Sequence, residues 1–156
     1  MMRALVCIVG RKATITPPLQ AMSEDSIREI EDLAESDGRY KKEAYFFVYD
    51  SLQYTVEKMG RENQTREKRH ISGRDLLSGI SDFAIEQYGP LTLEVFAHWG
   101  VYKTRDFGEM VFNLVSAELM SKTENDCIDD FVDIYDFAQE FDWKKRRTNQ
   151  RPAKNV

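Results

Sequence analysis

A chain of 156 residues is sized for one domain, and a hydrophobic share of 42% with 9 Phe, 7 Tyr and 2 Trp can build its core. The 2 cysteines, Cys7 and Cys127, cannot make a secreted-type disulfide framework, and no apolar run approaches the ~20 residues of a membrane-spanning helix; a cytoplasmic protein without membrane attachment is expected. The net charge of −5 hides an acidic body, −14 from Met22 to Trp143, between two basic ends, which argues against a body that lies on nucleic acid.

Met1–Gly10 carries a short apolar run with no clear small-x-small cleavage site, and Thr16-Pro17-Pro18 breaks any helix. The domain is therefore expected to begin at Met22, with residues 1–21 a disordered lead or a mis-assigned start. Ser23 suits the N-cap of a first helix reaching Ala34. Glu24 and Asp25 favour its positive end, Ile27, Ile30 and Leu33 form its stripe, and Ser36-Asp37-Gly38 ends it.

Tyr40 to Met59 reads as a longer helix, apolar over so wide an arc that burial on two sides is expected. Its tyrosines, Tyr40, Tyr45, Tyr49 and Tyr54, could form a base-stacking platform, but helical spacing explains them as core. Gly60 to Ile71 is polar and basic, a mobile loop by composition. Ser72 can cap a third helix, whose stripe is Leu76, Leu77, Ile80, Phe83, Ala84 and Tyr88; Gly89-Pro90 stops it.

Thr92 to Trp99 predicts a short fourth helix, Gly100 supplies the positive φ of a sharp turn, and Thr104 is placed to cap a fifth helix. Phe107, Met110, Val111, Leu114 and Val115 give that helix its apolar face. The order resembles the core of a winged helix-turn-helix. Two departures count against the strict motif: Phe96 stands where close helix crossing wants a small residue, and Glu118 where a glycine often precedes the wing. Over 120–137, Phe131, Val132, Ile134 and Tyr135 favour a strand, while Asp130, Asp133 and Asp136 recur at helical spacing. The reading leans to a short hairpin followed by a helical turn at Phe137–Phe141. Residues 144–156 lack apolar anchors until the terminal Val156 and are expected to be a basic disordered tail.

The fold class that follows is mainly α: about five helices in one domain, 22–143, with a winged-helix-like C-terminal half and room for a small β hairpin. Catalytic signals are nearly absent. No P-loop, nucleophile elbow, dinucleotide-binding glycine pattern or zinc-ligand pair occurs, and His70 and His98 lie in different elements. The acidic run after Thr123 has no EF-hand spacing, so no metal and no cofactor is expected. Arg105, Asp106, Glu109 and Asn113 would form the outward face of the fifth helix, with Asp126, Asp129 and Asp130 beside it. Such a face repels phosphate and suits a basic protein partner, which points to a non-enzymatic interaction or adaptor module. The alternative is nucleic-acid or ribosome association through Arg66, Lys68 and Arg69 in the loop and Lys144, Lys145, Arg146, Arg147 and Arg151 in the tail.

The blocks YKKEAYFFVYDSLQYT, HISGRDLLSGI, QYGPL, HWGV, TRDFGEMVFNLVSAELMSKTENDCIDDF and YDF together resemble a family of conserved hypothetical bacterial proteins of the planctomycete–verrucomicrobial lineage. The resemblance runs from about Glu24 to Phe141 and leaves both basic ends outside. It implies a small cytosolic helical protein beginning near Met22, and it carries over no catalytic or binding residue.

Overall fold

The computed structural model describes the backbone of residues 4–8, 22–61 and 63–149, and the side chains of 22–61, 63–65 and 68–146. In chain order the elements are β1 (Ala4–Ile8), α1 (Glu24–Asp37), α2 (Lys42–Lys58), β2 (Ile71–Ser72), α3 (Gly73–Tyr88), α4 (Thr92–Trp99), α5 (Thr104–Ser116), β3 (Met120–Lys122), α6 (Phe137–Glu140) and α7 (Trp143–Asn149). Short 3-10 turns occupy Arg66–Arg69, Gly89–Leu91 and Ile128–Phe131. The class is mainly α, and α1 to α5 are the five expected helices.

Local chemistry sets several of the helix ends. Ser23 Oγ accepts from the Ser26 N–H at 3.1 Å, and Ser72 Oγ accepts from the Asp75 N–H at 3.1 Å, each satisfying an otherwise orphaned donor of the first turn. Gly38 closes α1 in the left-handed region at φ 68°, and Gly100 closes α4 at φ 83°. Around α2 the core is aromatic. Phe47 packs on Phe83, Phe96 and Trp99 with ring centroids 5.4 to 5.6 Å apart. Phe96, Phe137 and Phe141 continue the cluster to the C-terminal elements. The α2/α3 crossing is tight because Gly79 faces Thr55; a Cβ at position 79 would lie 1.8 Å from Thr55 Oγ1.

The structure departs from the sequence reading in four places. Ala4–Ile8, assigned to a lead outside the domain, is the central strand of a three-stranded sheet of order β2-β1-β3, antiparallel to both neighbours. β3 pairs with this strand, with Cys7 opposite Ser121 and Ile8 opposite Met120, so it does not open a hairpin over 120–137. In place of a second hairpin strand, Ile128–Phe131 winds into a 3-10 turn whose Phe131 is fully buried. Two glycines make the seat for that ring. A Cβ on Gly108 of α5 would lie 2.7 Å from Phe131 Cβ, and one on Gly73 of α3 would lie 3.4 Å from its Cε2. Burial of one large ring here outweighs the β propensity of its neighbours.

The third departure is the loop before α3. It contains the Arg66–Arg69 turn, and Ile71 enters the core as part of β2. The fourth is the tail, which forms α7 through Asn149. Arg146 holds this helix to the body: its Nη2 donates to Glu140 Oε1 at 2.8 Å and Ser81 Oγ at 2.9 Å, and its Nε donates to the Glu140 carbonyl at 2.8 Å.

Glu118 follows α5 with φ 60°, at the position where the winged-helix pattern favours a glycine. A non-glycine residue in the left-handed region costs about 1 kcal/mol. Glu118→Gly should therefore raise stability by up to about 1 kcal/mol, measured by denaturant midpoint, despite the wider freedom of glycine in the unfolded chain.

Candidate functional site

The expected partner face on α5 is largely consumed inside the fold. Asp106 is only 8% exposed. Its Oδ2 accepts from the backbone N–H groups of Tyr102 at 2.8 Å and Lys103 at 3.1 Å, while Oδ1 accepts from the Tyr40 hydroxyl at 2.8 Å. Asp106 thus anchors the start of α5 from within the first turn. Thr104, expected as the cap, instead donates to the Phe131 carbonyl at 2.5 Å. Burial and the Asp106 carboxylate push the Tyr40 phenol well above its ordinary range. Tyr40→Phe removes one of three donors to a buried carboxylate and should cost about 1 to 2 kcal/mol in chemical denaturation.

The remaining residues of that face are paired as well. Asn113 Nδ2 donates to the Tyr45 hydroxyl at 3.0 Å, which in turn donates to Asp37 Oδ2 at 2.9 Å. Glu109 lies between Arg105 at 3.2 Å and Arg39 at 3.7 Å, and Arg39 also holds Asp37 at 2.8 Å. Asp37 and Glu109 are thus met by Arg39 and Arg105, which balances the charges in these ion pairs. This face is a seam joining α5 to the α1/α2 turn, where Lys41 N–H donates to the Trp99 carbonyl at 3.2 Å.

Asp126, expected as part of an acidic surface, is 3% exposed and accepts from Thr123 N–H at 2.7 Å and Thr123 Oγ1 at 2.9 Å. Burial raises its carboxyl above the usual range. Asp130 is half-buried and accepts from the Cys127 N–H at 3.1 Å, which leaves Asp129 as the exposed acid of the three. Among the described residues no group of three or more His, Cys, Asp or Glu is placed to hold a metal ion. Of the alternative, nucleic-acid set, Lys68, Lys144 and Lys145 are exposed, Arg69 is half-buried and Arg146 is tied to Glu140 and Ser81. The side chains of Arg66 and Arg147, and all of Arg151, lie outside the described residues.

A different site emerges between α2, α3 and the end of α4. A cleft of about 330 Å³ is lined by Glu43, Phe46, Phe47 and Asp50 of α2, Phe83, Gln87 and Tyr88 of α3, and Trp99. The α2 residues are spaced i, i+3, i+4 and i+7, one helical face, and Phe83 and Gln87 are one turn apart on α3. Glu43 and Gln87 are exposed at the edges of the cleft. Tyr88 and Trp99 meet edge to face at 5.7 Å, and Phe47 lies against both.

Asp50 sits in this aromatic setting at 9% exposure, and its Oδ1 has no hydrogen-bond partner among the described residues. Burial alone pushes its carboxyl up from 3.8 to about 7. Burial, and then the charge of Asp50, raise the neighbouring Tyr88 phenol. A buried acceptor left without a donor is costly, and such groups concentrate where function requires them. The stripe pattern of α2 does not single this residue out. A signal is nonetheless present in the sequence: Asp50 is the sole charge between Ala44 and Val56.

Comparison with protein-family models, with curated proteins and with solved structures finds no match for this chain, so the geometry of the cleft is what bears on function.

Proposed function

We propose that the protein is a non-enzymatic interaction module for a basic protein partner, and that the aromatic cleft around Asp50 is where a cationic group of that partner is held. One observation carries the reading: a nine-tenths buried carboxylate, with one oxygen unpartnered, sits in a preformed cleft walled by aromatic rings. Concave pockets walled mainly by apolar and aromatic side chains, with a few placed polar groups, are where ligands bind. No nucleophile or second acid lines the cleft beside Asp50 except Glu43 at its edge, which favours holding over transforming. The acidic recognition surface expected on α5 is thereby moved to α2.

Affinity purification of the full chain from nuclease-treated extract tests this. A defined basic protein should co-purify with the parent chain and be lost with Asp50→Asn. Retention of the same partner by that variant would overturn the assignment of the cleft. The alternative, nucleic-acid or ribosome association, rests on the charges of the loop and tail, from which Arg146 is withdrawn by its ties to Glu140 and Ser81. It requires binding to RNA or DNA with steep salt dependence. Truncation after Trp143 is a poor test of it, because the cut also removes the Arg146 clasp; Lys144→Ala with Lys145→Ala leaves that clasp in place.

A further inference from the structure

We propose that the group bound in the Asp50 cleft is an alkylated ammonium ion, tertiary or quaternary, seated against the faces of the cleft's aromatic rings with its charge answered by the Asp50 carboxylate. This inference rests on the cleft being a recognition site and names what it recognises.

The choice of ion follows from counting acceptors. Phe46, Phe47, Phe83, Tyr88 and Trp99 present ring faces or edges to the cleft, and ring faces attract cations through their quadrupole. The orphaned buried acceptor is one oxygen, Asp50 Oδ1. A guanidinium brings five N–H donors in a rigid fork, and an unsubstituted ammonium brings three. Seated among the rings at Asp50, either would have to reach the Glu43, Gln87 or Tyr88 oxygens with its further donors or leave them unpaired, which is costly in a buried setting. A hard metal cation needs about six oxygen ligands, which these walls do not supply. An ammonium whose hydrogens are replaced by methyl groups has at most one donor, spreads its charge over apolar methyls and is weakly hydrated. It matches one carboxylate among aromatic rings. Such a group occurs on methylated lysine side chains and on free choline-like molecules, and the recognition chemistry is the same for both.

The titratable side chains lining the cleft with Asp50 are Glu43 on α2 and Tyr88 on α3; Gln87 and, from α4, Trp99 do not titrate. A permanently charged ligand has no proton of its own to lose. Its affinity should therefore follow ionisation of Asp50, whose carboxyl is pushed up to about 7 by burial. Binding should be roughly tenfold weaker near pH 6 than near pH 8, the ratio of ionised fractions at those two values.

The experiment is an NMR or calorimetric titration of the full chain with tetramethylammonium, with tert-butanol as an uncharged molecule of similar shape, with choline and with a lysine-rich peptide carrying one trimethylated lysine. Shifts of the Trp99 indole and Phe83 ring signals on adding tetramethylammonium, the expected pH dependence, and loss of binding in Asp50→Asn support the proposal. Tighter binding of the peptide than of choline assigns the ammonium to a protein side chain; the reverse assigns it to a free molecule. Equal binding of tert-butanol, or tetramethylammonium binding that survives in Asp50→Asn, overturns it. Asp50→Asn is expected to be at least as stable as the parent chain at pH 8, so its urea denaturation midpoint, measured alongside, excludes loss of fold as the explanation for lost binding. If tetramethylammonium binds but the co-purifying partner persists in Asp50→Asn, the ammonium site stands and the partner-binding role falls. If the partner is lost in that variant and tetramethylammonium does not bind the parent chain, the partner-binding role stands and the ammonium site falls.

Discussion

Asp50→Asn should make the protein more stable at pH 8 and leave its stability almost unchanged near pH 4. The carboxyl stands at about 7 in the folded chain against an ordinary 3.8, so between these values the folded state keeps a proton that the unfolded state has lost. Stability from this group is full below about pH 4 and declines as pH rises through about 7. A shift of about three units corresponds to about 4 kcal/mol once both states are ionised. Asparagine keeps the shape of the side chain and cannot ionise, so the variant should recover about 2 to 4 kcal/mol of this at high pH, less what its own unsatisfied amide costs. Urea denaturation at several pH values reads this directly. Parallel profiles for parent and variant would mean that Asp50 is ionised and stabilised in the fold by a contact other than those described. A natural chain that keeps a destabilising group in a cleft is expected to gain function from it.

Gly79→Ala should destabilise the fold by about 3 kcal/mol. The added Cβ would stand 1.8 Å from Thr55 Oγ1 and 2.9 Å from Thr55 Cβ, at the crossing of α2 and α3. The hydroxyl cannot simply rotate away without cost, because it donates to the Ser51 carbonyl at 2.7 Å in a buried setting. The helices must move apart, and overpacking of this kind costs about 1 to 3 kcal/mol or more. Both helices also line the Asp50 cleft, so the variant should lose ammonium binding together with stability. Thr55→Ala in the same chain removes the nearest clashing atom and should restore part of the denaturant midpoint; no recovery would show that the crossing is not the seat of the damage.

Much of the helical framework is legible in the sequence because its signals are local. Ser23, Ser72, Gly38 and Gly100 act through neighbours three or four residues away, and the stripes of α1, α3 and α5 repeat at helical spacing. The sheet is not legible. β2 and β3 are two and three residues long, too short for an alternating pattern, and both pair with a strand more than sixty positions from either. The turn that buries Phe131 depends on glycines of α3 and α5, which no pattern in the segment itself announces. Asp106 illustrates the ambiguity of polar residues. An acid in the first turn of a helix reads as an outward charge, yet the phenol of Tyr40, 66 positions earlier, reaches it in the interior. Asp50 is hidden differently, by aromatic residues on the same helix that read as ordinary core.

The long-range polar ties have a kinetic consequence. Tyr40 to Asp106, Tyr135 to Leu77 and Glu140 to Ser81 join positions 66, 58 and 59 apart, so each closes only after most of the chain between has been gathered. Helical proteins assembled from neighbouring contacts reach the native state in microseconds to milliseconds, and each large loop closed slows that search. Early helix formation here would thus precede a slower fastening of segments distant in the chain, the α1/α2 turn to α5 and α3 to the segment after Phe131, and the rate-limiting barrier would be crossed there rather than in winding the helices.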